Sequence, residues 1–118
     1  MQRVLIVDDS KFARANHTKL LQKLEYEVVG EAEDGLVGLE MLQKLEPDLI
    51  ITDLEMPNLD GIGMIKEIRS YNNDVKIVVV SSVVNAQSTL EVMKLRAVII
   101  KKPIKEHKLL NAIKLLNR

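Results

Sequence analysis

A chain of 118 residues, 47% apolar and 29% charged, is long enough to bury one sizeable core and too apolar to be a disordered segment. It has no cysteine, which excludes a disulfide framework and thiolate metal sites and points to a reducing compartment, the cytoplasm. No apolar run could span a bilayer, and Met1 leads straight into a strand-like segment with no room for a signal peptide.

Val4-Leu5-Ile6-Val7 is the first short apolar run, rich in β-branched residues, of the kind that forms a strand covered on both faces. Ser10 is placed to cap a helix from Lys11 to about Leu24, with Phe12, Leu20 and Leu24 on one stripe. Glu27 to Ala32 is more mixed and reads as an edge strand. Asp34 caps a second helix, whose apolar side holds Leu36, Leu39 and Leu42 and which ends before Pro47. Leu49-Ile50-Ile51 follows as a covered strand, and a third helix begins near Gly61 with Ile62, Ile65 and Ile68. Ile77 to Val80 is a fourth strand, leading to a helix around Ala86 to Leu95 that carries Leu90 and Met93. Val98-Ile99-Ile100 is the last covered strand, and a final helix from about Lys105 to Asn117 turns Leu109, Ile113 and Leu116 inward. Five strands alternating with five helices predict an α/β fold: one domain over residues 1–118, a parallel sheet with helices on both faces.

In such a sheet, ligand chemistry gathers at the carboxyl ends of the strands. The first strand ends in Asp8-Asp9, the third in Thr52-Asp53, the fourth in Ser81-Ser82 and the fifth in Lys101-Lys102-Pro103. Three carboxylates, Asp8, Asp9 and Asp53, repel one another unless a cation sits among them. Hard oxygens without His or Cys favour Mg²⁺. An Asp carboxylate is also a competent nucleophile toward a phosphoryl group, and a Lys with a Ser hydroxyl suits its remaining oxygens. Taken singly, each residue has a plainer reading, as a helix cap, a turn former or a solvated lysine. Their joint placement on four strand ends is what carries the signal.

The net charge is zero but unevenly spread. Residues 1–60 hold 13 acids and 6 bases, whereas Lys94 to Arg118 hold 8 bases and one acid, Glu106. Either the late helices carry bases near their C-termini, where the helix dipole favours them, or the chain presents a basic surface to an acidic partner. Direct nucleic-acid binding lacks a motif and aromatic side chains to stack on bases. His17 and His107 read as solvated helix residues.

The segments Val4-Leu5-Ile6-Val7-Asp8-Asp9-Ser10, Asp48 to Gly61 (DLIITDLEMPNLDG), Ser81-Ser82 and Lys102-Pro103 resemble the receiver domain of two-component response regulators, the CheY-like family, over essentially the whole chain. The resemblance implies a flavodoxin-like fold with strand order 2-1-3-4-5. It implies that Asp53 accepts a phosphoryl group from a histidine kinase or phosphotransfer protein. It places Mg²⁺ on Asp9 and Asp53 and the backbone carbonyl of Glu55, with Asp8 acting through water. Lys102 would contact the phosphoryl oxygens, with Pro103 joined to it by a cis peptide bond. Ser81 would swing inward and pass the change to a face built from the fourth helix, fifth strand and fifth helix, where a downstream protein or a second copy on activation would bind. Such a protein is a switch, not an enzyme with a separate substrate. The opening Asp8 to Arg14 resembles chemotaxis-type receivers.

Three positions depart from the family pattern. Ser81 stands where Thr is more usual, Ile99 where an aromatic is usual, and Leu95-Arg96-Ala97 where Ala-Gly-Ala is usual. Without that glycine the fourth helix is expected to end differently or sooner. Val83, Val84, Leu90, Leu95 and Ile99 either pack on the sheet or form a partner surface. A phosphorylation-independent interaction module, and an aspartate-nucleophile phosphatase using Glu55 as its second acid, remain as other readings. The apolar Val83 beside the site offers no help to an attacking water, so a long-lived phosphoryl state is expected.

Overall fold

The apolar runs decide the architecture. Val4 to Val7, Leu49 to Ile51 and Ile77 to Val80 are completely buried, the environment that an unbroken β-branched run requires. The computed structural model describes residues 2–117. In chain order its elements are β1 (Arg3–Val7), α1 (Lys11–Lys23), β2 (Glu27–Ala32), α2 (Gly35–Leu45), β3 (Leu49–Thr52), α3 (Gly61–Arg69), β4 (Lys76–Ser81), α4 (Ala86–Lys94), β5 (Val98–Lys101) and α5 (Glu106–Leu116). The strands form one sheet in the order β2-β1-β3-β4-β5, and every neighbouring pair is parallel. This is the flavodoxin-like α/β fold.

Successive side chains on a strand point to opposite faces, and the sheet therefore has two cores. Leu5, Val7, Ile50, Ile77 and Val79 meet Met64, Ile65 and Ile68 of α3, Leu42 of α2 and Val92 of α4. Val4, Ile6, Leu49, Ile51, Val78 and Val80 meet Leu21 of α1 and Leu109 and Ile113 of α5. Three layers result. Each fully buried Leu, Ile or Val contributes about 1.5–3 kcal/mol relative to exposure, so the central strands dominate the stability.

Several expected inward positions are corrected. Phe12 is 77% exposed, and Leu36, Leu90 and Met93 are exposed as well. At about 100° per residue, Leu21 lies nearly opposite Phe12 on α1, and the inward seam runs instead through His17 and Leu21. On α4 the inward residue is Val92, which sends Leu90 to the far side. His17, expected in solvent, is only 4% exposed. Val98, Ile99 and Ile100 are half-buried and not fully covered, because β5 is an edge strand, at the opposite side of the sheet from β2, and pairs with β4 alone.

The end of α4 is also corrected. It does not end differently for want of glycine: Arg96 adopts the left-handed conformation itself, with φ 57°. The amides of Arg96 and Ala97 donate to the carbonyls of Met93 (3.0 Å) and Val92 (3.2 Å), the pairing of a Schellman motif. A left-handed non-glycine costs about 1–2 kcal/mol. Arg69 supports the turn, its guanidinium donating to the carbonyls of Leu95 (2.8 Å), Arg96 (3.0 Å), Val75 (2.8 Å) and Asn72 (3.1 Å). The Arg96 side chain in turn donates to Asn73. Arg69→Ala should therefore lower the unfolding free energy by about 2–4 kcal/mol, since it strips a charged donor from four carbonyls. Arg96→Gly, which relieves the turn but loses the Asn73 contact, should stay within about 1 kcal/mol of wild type. Urea unfolding of the two variants checks both.

Candidate functional site

β1 and β3 lie side by side with Val7 opposite Thr52, so the residues that follow, Asp8 and Asp53, emerge together at the carboxyl edge. Their backbones are fixed there. The Asp53 amide donates to the Val7 carbonyl (3.0 Å) and the Asp8 amide to the Ala32 carbonyl (3.0 Å). Asp8, Asp9 and Asp53 each place a carboxylate oxygen within 4.8 Å of the others'. Asp8 is buried, Asp53 half-buried and Asp9 exposed, so the cluster opens to solvent on the Asp9 side.

Lys102 enters from the end of β5. Its amide donates to the Ser81 carbonyl (2.8 Å), and the peptide to Pro103 is cis, as expected. Its ammonium donates to Asp8 Oδ2 (3.1 Å) and Asp53 Oδ2 (3.3 Å). Burial pulls the Lys102 ammonium down, but the hydrogen bonds and charges of Asp8 and Asp53 outweigh it, and its pKa lies above the usual 10.5. Burial pushes the Asp53 carboxyl up against the opposing pull of Lys102 and the Leu54 amide. Three carboxylates against one ammonium leave two negative charges uncompensated among hard oxygens, a donor set that fits Mg²⁺.

The surrounding loops are held by local bonds. Ser10 caps α1 by accepting from the Ala13 amide (3.1 Å), while its own amide donates to Asp8 Oδ1 (2.9 Å). Arg14 donates to the Asp8 carbonyl (2.6 Å) and pairs with Glu31 (3.3 Å). Asp34, buried at the start of α2, accepts from the Val37 amide (2.9 Å) and from Asn58 Nδ2 (2.8 Å), tying the α2 end to the loop after β3. Those two bonds, the Val37 amide first, hold its carboxyl below the usual range. Gly61 passes behind Asp53: a Cβ there would lie 2.3 Å from the Asp53 carbonyl oxygen. No side chain fits that gap.

Not every expected residue converges. The Ser81 hydroxyl is buried but turned to its own loop, donating to the Val83 carbonyl (3.1 Å) and accepting from the Val83 amide (3.3 Å). Glu55, expected to serve Mg²⁺ through its backbone carbonyl, is exposed, and its carboxylate stands outside the acidic trio. Met56, in the loop after Asp53, packs on the core. Arg14, Asn58 and His17 carried no predicted role. Arg14 and Asn58 act through long-range contacts that no spacing reveals. His17 could have been flagged by its i, i+4 relation to Leu21.

The sequence model described as the response regulator receiver domain matches residues 4–114. The chain belongs to the response regulator receiver family. This receiver is 34% identical to Protein CcdB of Bacillus subtilis over 114 residues, covering 96% of this chain and 95% of that one. It is 39% identical to the chemotaxis protein CheY of Thermotoga maritima over 93 residues (79% and 78%). It is 44% identical over 101 residues to a protein-glutamate methylesterase/protein-glutamine glutaminase of Lawsonia intracellularis, covering 83% of this chain but only 28% of that protein. Among solved structures, the response regulator domain of Thermotoga maritima CheB superposes with TM-score 0.81 at 36% identity, over 99% of this chain and 92% of that one. CheY in the CheX–CheY–BeF3–Mg complex of Borrelia burgdorferi gives TM-score 0.93 at 23% identity over 99% and 90%, a likeness of fold. Among the described residues no helix is long and apolar enough to cross a membrane.

The buried His17 of this receiver gives a pH prediction. Burial, the largest cause, holds its imidazole below the usual 6.5; the Asp8 charge opposes this and the Lys102 charge adds to it. A histidine whose folded pKa is lowered binds its proton better unfolded, so stability is complete above about pH 6.5 and falls as pH drops through that value. His17→Leu should flatten this part of the profile, as followed by urea unfolding between pH 7.5 and pH 5.

Proposed function

We propose that Asp53 is the phosphoacceptor of a two-component switch and takes its phosphoryl group from a histidine kinase, a phosphotransfer protein or a small acyl phosphate. The observation that carries this reading is the Lys102 ammonium bridging Asp8 and Asp53 at adjacent strand ends. An Asp53 carboxylate oxygen attacks phosphorus, the P–N bond of a phosphohistidine (or P–O bond of an acyl phosphate) breaks, and the electron pair leaves with the donor. Asp8, Asp9 and Asp53, with the Glu55 carbonyl, would hold Mg²⁺, which offsets charge on the transferring oxygens. Lys102 moves from carboxylates to phosphoryl oxygens, keeping a charge-assisted contact throughout. Ser81 leaves Val83 and donates its hydroxyl to the phosphoryl group.

In this reading residues 1–118 act as one receiver unit in the cytoplasm, with no separate substrate of their own. The output leaves through the face of α4, β5 and α5, where a downstream protein binds. The sites flanking Asp53 support a slow loss of phosphate, because Val83 is 55% exposed and apolar and cannot position a water.

Incubation with acetyl phosphate and Mg²⁺ tests the reading by mass spectrometry. One added phosphoryl group is expected on the wild type and none on Asp53→Asn; no gain, or a gain that survives the substitution, sinks the proposal and favours a phosphorylation-independent module. Lys102→Ala should slow the reaction at least tenfold. After removal of the donor, the phosphoryl group should outlast seconds, and repeated turnover of a phosphomonoester would instead support an enzyme.

A further inference from the structure

Arg14 carries a charge where its helix does not favour one. It belongs to the first turn and a half of α1, and its amide donates to the Ser10 carbonyl (3.0 Å). A cation at that end faces the positive pole of the helix dipole, which disfavours it. Its side chain is nonetheless only 15% exposed, and the guanidinium reaches back to the ends of β1 and β2. Nη1 donates to the Asp8 carbonyl (2.6 Å), and Nε pairs with Oε1 of Glu31 in β2 (3.3 Å). An ion pair whose acid is 44% exposed adds little to stability. The bond to the Asp8 carbonyl is the short, charge-assisted one.

That carbonyl belongs to the peptide joining Asp8 to Asp9. A peptide is planar, so holding its oxygen fixes the direction in which the chain enters Asp9. The peptide leaving Asp9 is held as well, because the Ser10 amide donates to Asp8 Oδ1 (2.9 Å). Asp9 itself is exposed and, among the described residues, takes part in no ion pair. Its carboxylate still lies within 4.8 Å of those of Asp8 and Asp53. The main chain therefore aims that carboxylate, and Arg14 with Asp8 fastens the main chain on either side of it. Glu31 holds the Nε edge of the guanidinium and offsets its charge, so the arginine does not weaken the negative field of the three carboxylates.

We infer that Arg14, oriented by Glu31, is a positioning residue for the cation site: it locks the Asp8–Asp9 peptide and so presents the Asp9 carboxylate to the metal. The inference rests on the reading of Asp8, Asp9 and Asp53 as a Mg²⁺ site and adds two residues that touch neither the ion nor the phosphoryl group. Groups that orient metal ligands from behind commonly govern affinity as strongly as a ligand does. Position and charge make opposite demands here. If Arg14 acted only as a nearby positive charge, removing it would leave Glu31 unpaired and tighten Mg²⁺ binding; as a support for Asp9, removing it loosens the ligand and weakens binding.

The test titrates the full chain with MgCl₂ and follows the backbone amide shifts of Asp9, Ser10 and Leu54, without any phosphodonor. Arg14→Ala, and the charge-balanced pair Arg14→Ala with Glu31→Ala, should each weaken Mg²⁺ binding about tenfold or more. Arg14→Lys keeps the charge and most of the stem, but one ammonium cannot span the carbonyl and Glu31 as a planar fork does, and it should weaken binding about threefold. Melting temperatures should fall by no more than about 5 °C, as loss of a largely surface pair predicts. With acetyl phosphate, the Mg²⁺ concentration giving half the maximal rate should rise by the same factor as the dissociation constant, while the rate at saturating Mg²⁺ stays within about twofold. Unchanged binding in the charge-balanced pair, or tighter binding in Arg14→Ala, would overturn the inference and leave the metal site standing. So would loss of the folded state in both the charge-balanced pair and Arg14→Lys, which would make Arg14 a purely structural residue. Absence of Mg²⁺-dependent shifts in the wild type would instead overturn the metal site itself, and the inference with it.

Discussion

Two carboxylates at the ends of adjacent buried strands repel at close range, and Asp8 is nine-tenths buried or more. Their coexistence rests on the Lys102 ammonium, which reaches both at hydrogen-bond distance from the far side of β4. That one cation ties the end of β5 to the ends of β1 and β3. It makes the three loops a single electrostatic unit, and it explains why a lysine at 24% side-chain exposure carries a raised pKa despite its partial desolvation. Any cation or phosphoryl group entering the site has to compete with these contacts or reuse them.

The parts of this arrangement that were legible in the sequence are those with a local cause. Unbroken β-branched runs identify covered strands, and the topology of a parallel sheet brings their ends together, so Asp8, Asp53 and Lys102 could be placed near one another from order alone. Ser10 and Asp34 act as helix caps within three residues of their partners. What was not legible depends on rotation or on distant contacts. Phe12 falls on the wrong side of α1 because a stripe drawn over twelve residues accumulates error with each turn. His17 is buried by the same rotation. The orientation of Ser81 is a rotamer choice decided by the Val83 backbone, and the bonds from Arg69 to the end of α4 join residues 26 and 27 positions apart.

Two of the departures from the family pattern, Arg96 and Ile99, lie on the α4 side of the sheet. Arg96 takes a backbone conformation that glycine adopts freely, and the strain is offset by Arg69 below it and Asn73 beside it. The exchange converts a neutral turn into a charged rim. Ile99, in the position where an aromatic ring is usual, is half-buried against the core beneath α4. An isoleucine there has no large ring to swing between an inward and an outward position.

The bonds of the Ser81 hydroxyl have a consequence for how the resting protein is populated. A serine whose one donor and one of its acceptor positions are both engaged by Val83 is held, but only by neutral hydrogen bonds at 3.1 and 3.3 Å. Neutral bonds of this kind are each worth a net of about 0.5–1.5 kcal/mol. Losing both leaves the released rotamer a minority of the resting population. The loop after β4 is thus fastened by weak, neutral contacts, which a charged acceptor for the Ser81 hydroxyl would displace.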